Sequence, residues 1–331
     1  MKEGASTVRR WKDLDTDLLV KIFLCFDVLQ LTLGIAHVCN SWHSACCDPL
    51  LWKTLDLSML RSNFIKILLE SYVYVDEFSD KALTCLLKIS LSLSRGQIRT
   101  LIFHFNLYAG DEQFTYIAER CPHLRHLVMP AWNRIKKDVI CKAIRTWRSL
   151  KSLTMPSIVN PPYLIKEIAV NCKNFNELKI MGPFDVLFAS MIVRFLPNLK
   201  VLSLRCSSIV KDALLLILDD LPNLKVLNIS HSLLIEGPLL SPVMLEKIIK
   251  KPDKIILEKA ARLREFLTCI EHSCIMCQCT RSDEGFMRWY KYEEGLSKMD
   301  EIVVLIIYCI PVVFLFLWQL CCKLSCRSFY C

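Results

Sequence analysis

The residues best equipped for chemistry in this chain of 331 residues lie close together near its end: Cys269, His272, Cys274, Cys277 and Cys279. Thiolate and imidazole are ligands that zinc prefers, and Cys274-x-x-Cys277 has the spacing of half a tetrahedral site, which Cys269 or His272 could complete. A structural zinc site needs a second pair at a defined distance, and none follows. The expectation is a reduced, cysteine-rich segment, with Cys269, His272, Cys274 and Cys277 as the candidate ligands if a metal binds. Elsewhere G-x-S-x-G, G-x-x-x-x-G-K-[ST], H-E-x-x-H and G-x-G-x-x-G are all missing, and the seven histidines are scattered. His123 and His126 read as surface residues beside a strand. No acid, base and nucleophile can be named together, so neither enzymatic activity nor a cofactor is expected.

What must position any functional side chain is a repeat. IRTLIFHF (98–105), LRHLVMP (124–130), LKSLTMP (150–156), FNELKIM (175–181), LKVLSLR (199–205) and LKVLNIS (224–230) share the frame L-x-x-L-x-L. Their first residues, Ile98, Leu124, Leu150, Phe175, Leu199 and Leu224, are 26, 26, 25, 24 and 25 apart. The last two apolar positions of a frame are two residues apart, as a strand requires to point both to one side. Between frames, Leu164 and Ile168, or Ala213 and Ile217, are four apart and share a helix face. Asp111, Asp138, Asn160, Asp185 and Asp212 stand near the expected helix N-caps, and Pro161 and Pro162 fit only a first turn. One strand and one helix cannot bury their apolar sides alone, so the units must stack, with Leu101, Leu127, Leu153, Leu178, Leu202 and Leu227 in one inward column. This resembles the leucine-rich-repeat family, whose period the spacings match. The alternate strand positions then face solvent, and His104, His126, Thr154, Lys179, Arg205 and Asn228 are the expected substrate-binding residues. Nothing in that face converges into a pocket, so it suits a protein better than a small molecule.

Residues 11–52 precede the repeats and read as three short helices. Asp15, Thr16 and Asp17 can cap the first and Asp27 the second; Leu18, Leu19, Ile22, Phe23 and Phe26 make an apolar face; Val38, Trp42 and Ala45 continue a third helix as far as Asp48-Pro49. A bundle this small has too little interior for so many large apolar side chains, so some must meet a partner. The order Leu14, Leu18-Leu19, Ile22-Phe23, Leu31, Val38-Cys39, Trp42, Leu51-Trp52 resembles the F-box family, and the whole chain to about residue 300 resembles a plant-type F-box and leucine-rich-repeat protein. Two positions depart from the family pattern: Asp15 stands where proline is usual and His43 where arginine is. The resemblance implies docking to a Skp-type adaptor on a cullin scaffold, with Leu14, Leu18, Ile22, Phe23, Val38, Cys39 and Trp42 at or beneath that interface. It also implies that the repeats hold an unknown protein target for ubiquitin transfer. The alternative is a repeat-based binding scaffold with no part in that transfer.

The expected architecture is thus α/β: a flexible stretch over 1–10, an F-box over 11–52, an irregular first repeat with an insertion over 53–97, repeats over 98–245, a helical cap over 246–300 and a hydrophobic, cysteine-rich tail over 301–331. WKTLDL (52–57) carries the repeat frame, so the F-box is expected to run directly into the first repeat. Residues 302–320 contain no charge and are long enough to span a bilayer; a membrane anchor and translated intron sequence both fit their composition. No apolar signal segment occurs in MKEGASTVRRWKDLDTD, so cytoplasm and/or nucleus is expected, with a membrane-anchored form as the variant. The thiols are then reduced, and Cys25, Cys39, Cys85, Cys141 and Cys206 are expected to act as small hydrophobes. The net charge of +9 is spread along the chain, which demands no nucleic-acid partner.

Overall fold

The N-terminal helices begin where short polar side chains can hold free amides. Asp15 caps α1 (Thr16–Phe23), its carboxylate accepting from the Asp17 amide at 2.9 Å. Asp27 opens α2 (Val28–Leu33) with a reciprocal pair, Gln30 N to Asp27 Oδ1 at 2.8 Å and Asp27 N to Gln30 Oε1 at 3.0 Å. A 3-10 turn (Ile35–His37) leads to α3 (Asn40–Cys46), and Asp48 caps a second 3-10 turn (Pro49–Trp52). Three helices form as expected, but the third starts at Asn40. The extended backbone of Cys39 breaks it there, and Val38 closes the preceding turn. The computed structural model describes residues 14–60, 64–66, 73–104, 107–130, 134–156, 162–237, 247–249 and 251–269.

Trp52 joins this module to the rest. It is buried, its indole N–H donates to the Cys46 carbonyl at 2.6 Å, and the next residues form β1 (Thr54–Leu57). A two-stranded antiparallel insertion follows, β2 (Phe64–Lys66) and β3 (Val73–Val75), and then α4 (Glu77–Ser94), against which α2 packs. The array continues as β4 (Thr100–Phe103), α5 (Asp111–Arg120), β5 (His126–Val128), α6 (Lys137–Thr146), β6 (Ser152–Pro156) and α7 (Pro162–Asn171). After these come β7 (Glu177–Met181), β8 (Pro183–Phe184), α8 (Val186–Phe195), β9 (Val201–Ser203), β10 (Ser208–Val210), α9 (Lys211–Asp220), β11 (Val226–Asn228) and β12 (Leu233–Glu236). The last elements are β13 (Lys247–Ile249), α10 (Lys254–Ala260) and β14 (Glu265–Leu267).

The main sheet is parallel throughout, in the order β1-β4-β5-β6-β7-β9-β11-β14. Its register places Leu55, Leu101, Leu127, Leu153, Leu178, Leu202, Leu227 and Phe266 side by side, and all seven leucines are buried. Each contributes about 1.5–3 kcal/mol by leaving water, and each depends on the neighbouring unit to do so. Helices α4 to α10 pack in sequence along the other side. A smaller sheet, β13-β12-β10-β8, forms where the chain turns out of the main one. Cys206 and His231 take positive φ at these turns, 25 residues apart. Buried serines stitch the same place: Ser207 Oγ donates to the Ile180 carbonyl at 3.2 Å, and Ser232 Oγ to the Leu204 carbonyl at 2.7 Å.

Three expectations need correction. Of the four aspartates expected near the N-caps of the repeat helices, Asp185 alone is the capping residue, accepting from Phe188 N at 2.7 Å; Asp111, Asp138 and Asp212 lie one or two residues inside, where a negative charge meets the free amides of the first turn. Asn160 lies outside the described residues. In the stretch expected as a helical cap over 246–300, the described residues are 247–249 and 251–269: among these Lys254–Ala260 is helical, and β14 extends the main sheet by another unit; 270–300 lie outside the described residues. That frame hides in the sequence because Phe266 replaces leucine and an insertion precedes it. Finally, Cys25 and Cys85 are exposed and Cys39 half-buried, whereas Cys141 and Cys206 are buried. Burial pushes the thiols of Cys46, Cys121 and Cys172 up to about 12, which keeps them protonated at neutral pH.

Candidate docking surfaces

The F-box residues divide by exposure. Leu19, Val20 and Phe23 of α1 point inward, at 1%, 4% and 1% exposure, while Leu18 and Val38 stand open at 47% and 48%. Leu14, Ile22, Cys39 and Trp42 are half-buried. Phe23 therefore acts through its neighbour: its ring meets Trp42 edge-on, centroids 5.4 Å apart, and ties α1 to α3. Sequence reading missed Leu24, Leu33 and Leu50, which are also exposed. The signal was available, because α1 and its flanks carry more apolar residues than one helix face can hold. Among the described residues, six of the thirteen exposed large apolar side chains fall between Leu18 and Met59, a minor part of the chain. At the two departures from the F-box pattern, Asp15 caps α1 and His43 Nδ1 bonds to the Ala36 carbonyl at 3.1 Å.

The strand face opposite the helices carries the other predicted set, in three rows. His126 shares a row with Ser152, Glu177 and Val201; Thr154, Lys179 and Asn228 share the next with Val128 and Ser203; His104 and Arg205 follow the ends of β4 and β9. The expectation that these positions face solvent holds only in part. His104, His126, Lys179, Arg205 and Asn228 are half-buried, while Thr154, Ser152, Ser203 and Val226 are buried. Strands about 4.8 Å apart let long neighbours cover short ones. Lys179 reaches Glu177 at 3.3 Å on this face. Burial lowers the pKa of His126, with Lys151, Arg125 and Lys179 adding to the shift against Glu177; burial and then Arg205 lower that of His231. In both rings the shift favours the neutral form.

Neither surface resembles a reaction centre. A cleft of about 420 Å³ lies between α4 and α5, lined by none of the residues named for either surface, and its buried Gln113 is already bonded to Asp80, Thr84 and Gly110. Among the described residues no group of three or more His, Cys, Asp or Glu could hold a metal. Cys269 is described and half-buried; His272, Cys274 and Cys277 lie outside the described residues, as does 302–320. No helix among the described residues is long and apolar enough to cross a membrane.

Comparison with known proteins bears on the family. Residues 9–58 match the F-box-like family. An F-box/LRR-repeat protein of Arabidopsis thaliana is 62% identical over 296 residues, covering 89% of this chain and 96% of that protein. A second Arabidopsis thaliana chain, named as a putative F-box protein, is 28% identical over 314 residues, covering 84% and 92%. The F-box protein SKIP1 of the same plant is 25% identical over 171 residues, about half of each chain (51% and 54%). An F-box implies a Skp-type adaptor as partner, and the family typically consists of non-catalytic adaptors. With F-box helices in front and a parallel strand-and-helix array stacked directly behind them, the chain belongs to the F-box/LRR-repeat family.

Proposed function

We propose that this protein is the substrate-recognition subunit of an SCF-type ubiquitin ligase. The F-box docks a Skp-type adaptor on a cullin scaffold, and the strand face holds a protein target while other subunits transfer ubiquitin to it. The observation that carries the reading is the exposure of Leu18 and Val38, both about half open to solvent in a module whose Phe23 is buried. Apolar anchors left in water beside a complete core gain most from a second polypeptide. The array contributes positioning: Trp52 fixes the F-box to β1 without a linker, so target and ubiquitin donor are held at a set distance. Full-length protein co-purifies with a Skp-type adaptor, and Leu18→Asp with Val38→Asp abolishes this while circular dichroism is unchanged. Retention of the adaptor by the folded double variant would sink the proposal.

A further inference from the structure

The basic residues look evenly scattered in sequence, but the fold collects a set of them. Each frame has a residue between its first apolar position and its strand: Lys53, Arg99, Arg125, Lys151, Asn176, Lys200, Lys225 and Arg264. Seven of these eight are cations. Backbone bonds place them in line along the N-terminal edge of the main sheet: Arg99 N to Lys53 O at 2.9 Å, Arg125 N to Arg99 O and Lys151 N to Arg125 O at 2.7 Å, Lys200 N to Asn176 O and Lys225 N to Lys200 O at 2.8 Å. At about 4.8 Å per strand the row is roughly 34 Å long.

Ordinary structural roles do not account for it. Arg125, Lys151, Lys200 and Lys225 each lie five residues past the last residue of the preceding helix, beyond the turn in which a positive charge answers the helix dipole. Lys53, Arg99, Lys200 and Lys225 are exposed, Arg125 and Lys151 half-buried, and none of the six takes part in an ion pair among the described residues. The acids one residue further on, Glu177 and Glu265, are held by Lys179 and Arg264. Meanwhile Asp111, Asp138, Asp185, Asp212 and Asp253 gather at the helix starts, at the opposite edge. The row's positive field also reaches the strand face, where Arg125 and Lys151 help to lower the His126 pKa.

We infer that this edge docks an acidic polypeptide segment of the protein bound by the repeats, the identity of the occupant resting on the substrate-receptor role proposed above. A polypeptide fits better than a nucleic acid because the row carries no aromatic ring on which a base could stack, and Phe78 of α4 is the one exposed large aromatic among the described residues. The test is fluorescence anisotropy of the full chain with a labelled poly-glutamate peptide and, separately, a labelled single-stranded RNA of equal charge. Arg99→Gln, Arg125→Gln and Lys151→Gln together weaken peptide binding about tenfold or more, through lost charge complementarity. Lys53→Gln, Lys200→Gln and Lys225→Gln, at exposed positions that leave folding intact, do the same. A control of equal charge change on the helices, Lys88→Gln, Lys142→Gln and Lys166→Gln, leaves binding within about twofold. Equal losses in control and edge variants, or RNA bound more tightly than peptide, overturns the inference. Adaptor capture is read separately through Leu18 and Val38, so its failure would overturn the receptor role while the peptide measurements still decide the edge.

Discussion

At the scale of single residues, the F-box shows how one helix serves two purposes. Phe23 and Leu18 both read as face residues in sequence, but Phe23 is closed in the core against Trp42 and Leu18 is open. Phe23→Ala should cost about 3–5 kcal/mol, as large-to-small changes in cores do, and should reduce adaptor binding only through unfolding. Leu18→Asp should change stability by about 0.5 kcal/mol or less, so denaturant titration beside adaptor pull-down separates the two. Two histidines supply a pH signature. The folded pKa of His126 and His231 lies below the unfolded value near 6.5, so their contribution is complete above that pH and declines as pH falls toward the folded values. A second decline comes from Asp111, Glu167 and Asp253, whose folded pKa values are lowered chiefly by hydrogen bonds from the Lys136 amide, Arg145 and Lys211. That contribution is present above about pH 4 and is lost below it. The melting temperature should therefore fall in two stages on acidification, with His126→Gln flattening the first; a flat profile from pH 7 to 5 would contradict this.

At the scale of the element, a strand-helix unit is specified by its frame and by how its helix starts and stops. Asp185 caps α8 through its side chain, whereas Asp212 sits in the first turn of α9 after Val210. Asp185→Ala should cost about 1 kcal/mol, and Asp212→Ala less, about 0.3–1 kcal/mol through the dipole alone; paired denaturation curves check the ranking. Helix α9 is closed from the next unit, where Arg262 donates to the Leu218 and Leu221 carbonyls at 2.7 and 2.8 Å. Frame, period and helix spacing were all legible in sequence because both periodicities come from local geometry. Cap identity was not, since a shift of one or two residues turns a cap into a first-turn charge. The unit ending in β14 was missed for a similar reason: its insertion and Phe266 break the period that revealed the others.

At the scale of the whole molecule, the F-box and the array are one stacked structure. Trp52 closes the bundle two residues before the sheet begins at Thr54, and bonds the Cys46 carbonyl. Trp52→Phe keeps most of the packing but leaves that carbonyl unpaired, a loss of about 1–3 kcal/mol; tryptophan fluorescence and circular dichroism should still report one shared transition, at lower denaturant, and two separated transitions would show that the joint is not stiff. The sequence alone determined the order of parts and the inward leucine column, because an apolar residue every second or every fourth position has one low-energy way to leave water. It also determined that the F-box holds more apolar side chains than its interior can take. Only the tertiary structure decided which of them stay outside, because that depends on how α1 and α3 close over Phe23 and Trp42. The same holds for the strand face, where close spacing buries Thr154, and for the basic edge. Stacking at about 4.8 Å brings together charges that lie about 25 residues apart in the chain, and a linear reading cannot see a neighbour that arrives one repeat later.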